Sequence, residues 1–154
     1  MTIPRHSTLL PTNPSFAGHQ TFAFRAGWLK KGLDALQDIS VGGPSFFSRD
    51  DALVTLGVGK NMVQSIRHWL LMSGVAEDAP GTRGRELYPS KLGKALFGGP
   101  DNEGWDPYLE DIATLWLLHW GLAAPAGKAY SWVWTFNVHR EYEFSRESLV
   151  ESVI

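Results

Sequence analysis

Gly57-Val58-Gly59-Lys60-Asn61-Met62-Val63-Gln64-Ser65-Ile66-Arg67-His68-Trp69-Leu70 is a glycine-punctuated turn running straight into a helix with two unlike faces. Met62, Val63, Ile66, Trp69 and Leu70 recur at three- and four-residue steps, so they share one side of a 3.6-residue helix and can dock on a core. Lys60, Asn61, Gln64 and His68 line the opposite side, flanked by Ser65 and Arg67. These side-chain types contact phosphates and base edges. The plainer alternative is an amphipathic helix whose outer face is merely solvated.

The neighbouring stretches extend the pattern on both sides. Upstream, Trp28, Leu29, Leu33 and Leu36 predict a helix over 26–37, and a loop over 39–47 carries Gly42-Gly43-Pro44. Ser48 is placed to cap a second helix over 49–56, with Asp50 and Asp51 near its positive end. Gly57 stops that helix, leaving the short connection expected of a helix-turn-helix. Downstream, Gly74 closes the third helix. Residues 79–89 then read as two extended pieces around a glycine-rich tip, where Arg83 and Arg85 are placed to lie along a phosphate backbone; the alternative is a plain solvent loop. A short helix follows over 90–97. Helix, helix, helix, hairpin and closing helix together predict a mainly α fold with a winged helix-turn-helix over 16–97.

The flanks are of other kinds. Residues 1–15 are rich in Pro, Ser, Thr and Asn and read as a mobile arm. In 16–25, Phe16, Phe22 and Phe24 anchor a turn at Gly18 that presents His19 and Gln20. His19 is the one catalytic candidate, set against a hydrogen-bonded structural role. Residues 98–104 read as a linker. Residues 105–154 form an aromatic-rich helical segment. In it, Asp106 and Pro107 are expected to open a helix over 108–122 that is buried on several sides, with His119 packed among its tryptophans and leucines. The run 130–137 fits strand or helix. Ser145 is placed to cap a last helix with Ser148 facing back into its first turn. His139, close in sequence to Glu141 and Glu143, is expected to be solvated. The segment is expected to be truncated.

Composition narrows the function classes. The 154 residues contain seven Trp, eight Phe and no Cys, which excludes disulfides, thiolate zinc sites and a cysteine nucleophile. No run reaches the roughly 18 apolar residues of a membrane span, and no export signal is visible. A cytoplasmic protein without a membrane partner is expected. The net charge of −2 conceals an uneven distribution: residues 25–94 hold ten Lys/Arg against seven Asp/Glu, whereas 95–154 hold three against nine. The basic excess falls where the two-faced helix lies, which permits a nucleic-acid partner without requiring one. Gly57-Val58-Gly59-Lys60-Asn61 lacks the spacing and the Ser/Thr of a phosphate-binding loop. No Rossmann fingerprint, nucleophile elbow or metal-ligand spacing stands out, so no metal or cofactor is expected.

Three blocks carry a family resemblance. They are Phe16-x-Gly18-His19-Gln20-Thr21-Phe22 with Arg25-x-Gly27-Trp28-Leu29-Lys30-Lys31; Leu56-Gly57-Val58-Gly59-Lys60-Asn61-Met62-Val63-x-Ser65-Ile66-Arg67; and Trp105-Asp106-Pro107-Tyr108-Leu109-Glu110-Asp111 ahead of Leu115-Trp116-Leu117-Leu118-His119-Trp120. In this order they resemble the bacterial domain-of-unknown-function family numbered 4007, over nearly all of the chain after the arm. Gln20 departs from a Gly-His-Glu-Thr-Phe block, and members are usually longer, so the chain resembles their front part. The resemblance implies a setting among DNA phosphorothioation and phage-defence systems, one of whose subunits nicks DNA; it transfers no catalytic residue.

The expected function is a DNA-binding module of such a modification or defence complex, with Lys60, Asn61, Gln64, Ser65, Arg67, His68, Arg83 and Arg85 as the binding set and the other subunits as partners. Two alternatives stand beside it: a DNA-nicking subunit using His19, and a structural adaptor that binds proteins through the aromatic second half.

Overall fold

The computed structural model describes Leu10, residues 16–124 and residues 128–153; the expected arm lies outside the described residues apart from Leu10. The fold is mainly helical. Helix α1 (Ala26–Gln37) buries Trp28, Leu29, Leu33 and Leu36 as its periodicity predicts. A 3-10 helix (Gly43–Ser48) buries Phe46 against it, and a short α2 (Ala52–Leu56) ends at Gly57, whose φ of 61° lies in the left-handed region that glycine adopts without strain. Helix α3 (Lys60–Met72) begins three residues later.

The second helix starts later than expected because Ser48 is used elsewhere. It closes the 3-10 helix, and its hydroxyl donates to the carbonyl of Arg85 at 2.6 Å instead of capping the helix.

Strands β1 (Ala76–Asp78) and β2 (Leu87–Pro89) pair antiparallel with Ala76 opposite Pro89 and Asp78 opposite Leu87. Ala76 and Leu87 point inward and are buried, while Glu77 and Tyr88 face water, the alternation a half-covered hairpin requires. Helix α4 (Lys91–Phe97) is capped by Ser90, which accepts from the Gly93 amide at 3.0 Å and donates to the Gly74 carbonyl at 2.7 Å. The stretch read as a linker folds as a second small hairpin, β3 (Gly98–Gly99) with β4 (Asn102–Glu103). Gly104 then passes so close to α4 that a Cβ there would sit 2.1 Å from the Leu96 carbonyl oxygen.

Asp106 is buried and organises a turn instead of opening a helix. Its carboxylate accepts from the amides of Glu110 (2.9 Å) and Asp111 (3.0 Å). Burial opposes its charge, but these bonds and one from Thr114 hold its pKa below the usual aspartate value. Helix α5 (Ile112–Ala123) therefore starts later, capped by Asp111. It is followed by α6 (Tyr130–Asn137), which settles the ambiguous aromatic run as helix, and α7 (Arg146–Val153). Ser145 and Ser148 exchange side-chain-to-amide bonds at the start of α7, as read from the sequence.

One buried cluster runs from Trp28 through Leu70, Leu87 and Leu96 to Leu118, Leu122 and Ala129, so α5 shares the core of the preceding helices. The expectation that α5 is buried on several sides is corrected, because only Thr114, Leu118 and Leu122 are buried. His119 is half-buried against Trp116, Trp132 and Phe136. His139 is not solvated: its ring packs edge-on against Phe144 at 4.7 Å, and its Nε2 is buried without a hydrogen-bond partner among the described residues.

Candidate nucleic-acid interface

The N-terminal half of α3 presents Lys60, Asn61 and Gln64 to solvent. Lys60 and Gln64, one turn apart, line a groove of about 390 Å³ whose other wall includes Ser48, Arg49 and Asp50. The groove touches the β1–β2 hairpin, because Ser48 is the residue that donates to Arg85. One turn further along α3, Arg67 donates to the Gly84 carbonyl at 2.8 Å and pairs with Asp78 at 3.0 Å. These two bonds, one to the tip at Gly84 and one to Asp78 at the end of β1, hold the hairpin beside the outer face of α3. At that tip Arg83 and Arg85 are exposed, Arg83 in the left-handed region (φ 54°) between Gly81 and Gly84.

The residues expected in the binding set consequently divide. Lys60, Asn61, Gln64, Arg83 and Arg85 are exposed. Ser65 is corrected: it is 0% exposed, and its hydroxyl has no hydrogen-bond partner among the described residues, so it cannot reach a ligand outside the chain. Arg67 is half-buried and committed to the hairpin, which makes it a brace whose charge is partly compensated by Asp78.

His68 turns away from the groove toward the loop before α1. Its ring lies 5.8 Å from that of His19 and 5.3 Å from that of Trp69. Burial, and then the nearby His19 and Arg67, push its pKa below the ordinary histidine value, which favours the neutral imidazole. Gly18 makes room for it: a Cβ at that position would stand 2.6 Å from His68 Nδ1.

His19 is half-buried, and its Nδ1 lies 3.4 Å from the Thr21 amide. The two residues after it, Gln20 (φ 50°) and Thr21 (φ 65°), both occupy the left-handed region, a conformation that costs free energy in non-glycine residues and accumulates at functional sites. Nothing in the local sequence signals this strain, since neither residue is glycine or asparagine. Arg49 was also missed as part of the groove wall; it forms a two-bond pair with Asp51, and that bond holds its pKa up. Its role follows only from the 3-10 helix that brings it across from Lys60.

Among the described residues no group of three His, Asp or Glu side chains is arranged to hold a metal ion, and no helix is long and apolar enough to cross a membrane.

A helical domain with an exposed polar helix face beside an arginine-tipped hairpin is what the geometry defines. By its match over residues 16–154, the chain belongs to the family described as protein of unknown function DUF4007. No curated protein matches it. Two solved structures are similar: a magnesium ion-bound crystal structure of SspB (TM-score 0.79, 37% identity) and a second SspB crystal structure (TM-score 0.78, 36% identity). Each comparison covers 92% of this chain, which spans only 41% and 42% of the respective SspB chains.

Proposed function

We propose that this chain is a DNA-binding module of winged helix-turn-helix type, serving a bacterial DNA-modification or phage-defence complex. On this reading, Lys60, Asn61 and Gln64 approach the bases and phosphates of duplex DNA from α3, while Arg83 and Arg85 follow the backbone from the hairpin. The observation that carries it is the groove itself: exposed Lys60 and Gln64 border a cleft that the Ser48–Arg85 bond joins to an arginine-tipped hairpin. Fluorescence anisotropy on short duplexes tests it. Lys60→Ala should weaken binding to all sequences, whereas Asn61→Ala and Gln64→Ala should change the preference among sequences by about 1–3 kcal/mol per base contact. Binding that is indifferent to Lys60→Ala would sink the assignment.

A DNA-nicking subunit is the second reading. The paired rings of His19 and His68 and the strained Gln20-Thr21 backbone favour it. The magnesium bound in one SspB structure makes a metal-dependent assay the appropriate one. Conversion of supercoiled plasmid to the open circle in magnesium, lost in a normally melting His19→Gln variant, would support this reading; no conversion with the wild-type chain would remove it.

A further inference from the structure

Helix α5 is apolar on more sides than the core covers. From Ile112 to Ala123 it carries no Asp, Glu, Lys or Arg. Thr114, Leu118 and Leu122 form its inner stripe. Directly opposite, Ile112, Trp116 and Trp120 stand one turn apart and are 66%, 66% and 71% exposed. Leu117 beside the ridge and Phe136 on α6 are also exposed, and the His119 ring, in edge contact with both Trp116 and Phe136, joins the two helices into one surface. Two tryptophans, an isoleucine and these neighbours expose on the order of 500 Å² of apolar area, at the upper end of what a monomer leaves to water and approaching the roughly 800 Å² that each partner contributes to a standard interface.

We infer that this face pairs with the same face of a second copy of the chain, α5 lying antiparallel on α5 about a two-fold axis. Two features select a copy of itself. The first is register. With the axis crossing the ridge midway between Trp116 and Trp120, Trp116 of one copy meets Trp120 of the other, and each bulky Ile112 falls opposite the small Ala123 and Ala124, so large side chains meet space at both ends. The second is charge. Exposed Glu110 and Asp111 precede the helix and exposed Lys128 follows it, so antiparallel pairing brings acidic starts toward basic ends, whereas parallel pairing sets four carboxylates together.

Sedimentation velocity of the 154-residue chain across micromolar concentrations should show a monomer–dimer equilibrium, with a melting temperature that rises with protein concentration. Trp116→Glu with Trp120→Glu should raise the dimer dissociation constant by about a hundredfold or more and abolish that concentration dependence, while the helical circular dichroism persists because neither side chain is in the core. Ile39→Glu, at an apolar residue beyond α1 that is 87% exposed, should leave dimerisation intact. A wild-type chain that stays monomeric at every concentration overturns the inference and leaves the face to further chain of the kind the longer SspB proteins carry. So does a double variant that dimerises like the wild type, or an Ile39→Glu variant that dissociates equally.

Discussion

At the scale of single residues, α3 separates what a polar side chain can do from what it does. Ser65 belongs by type to a binding face, yet it is enclosed, and its hydroxyl has no hydrogen-bond partner among the described residues. Ser65→Ala removes a buried polar group without breaking a bond, so it should leave stability unchanged or raise it by up to about 1 kcal/mol and should not alter DNA affinity; urea titration and anisotropy check the two halves. His68 gives a pH prediction. Its folded pKa lies below the ordinary 6.5, so above that value it is neutral in both the folded and unfolded states and costs nothing. As the pH falls through 6.5 toward the folded pKa, the unfolded chain takes up the proton first, and stability drops across that window. The melting temperature of the wild type should therefore decline more steeply between pH 7 and pH 5 than that of His68→Gln.

At the scale of elements, close backbone approaches fix how α4 and the hairpin sit. Gly93 is buried where α4 crosses the end of the Ser73–Val75 turn, and an added Cβ would stand 2.1 Å from the Val75 carbonyl oxygen. A backbone atom cannot rotate aside as a side chain can, so Gly93→Ala should cost about 2–4 kcal/mol, seen as a lowered denaturation midpoint with an unchanged slope. The helices themselves were readable. Periodicity placed α1 over 26–37, and Gly57 marked the end of α2, because burial of one face and the left-handed turn are local demands on residue type. The start of α5 was not readable. Asp106-Pro107 has the local signature of a helix start, but the Asp106 carboxylate closes a buried turn on the amides of Glu110 and Asp111, and Asp111 takes over the cap.

At the scale of the whole molecule, the uneven charge gives the chain a polarity that its net −2 hides. The cations proposed to meet DNA lie within the basic stretch, while the acid-rich 95–154 region is expected to be held away from a phosphate backbone by repulsion. Affinity for duplex DNA should accordingly fall steeply with salt. Arg83→Ala with Arg85→Ala should lower affinity for every duplex and reduce the slope of log K against log salt by up to about 2, since each phosphate contact contributes about 0.9. An unchanged slope would show that the hairpin tip is only a loop.

The sequence by itself determined the local quantities: the helix over 26–37, the glycine stop before α3, the two faces of α3, the hairpin tip bearing Arg83 and Arg85, the reciprocal Ser145–Ser148 cap and the family. Each is set by neighbours within a few residues, where period, φ preference and side-chain reach are enough. Tertiary structure alone decided which polar groups are free and which apolar faces are covered. Arg67 became a brace because the hairpin carbonyl of Gly84 comes within 2.8 Å of it, and His68 turned inward because Gly18 leaves room for its ring. The α5 ridge stayed in water because the core reaches only its Thr114–Leu118–Leu122 side. Periodicity specifies the faces an element has, but coverage of a face depends on which distant segment arrives there, and that is a property of the packed chain.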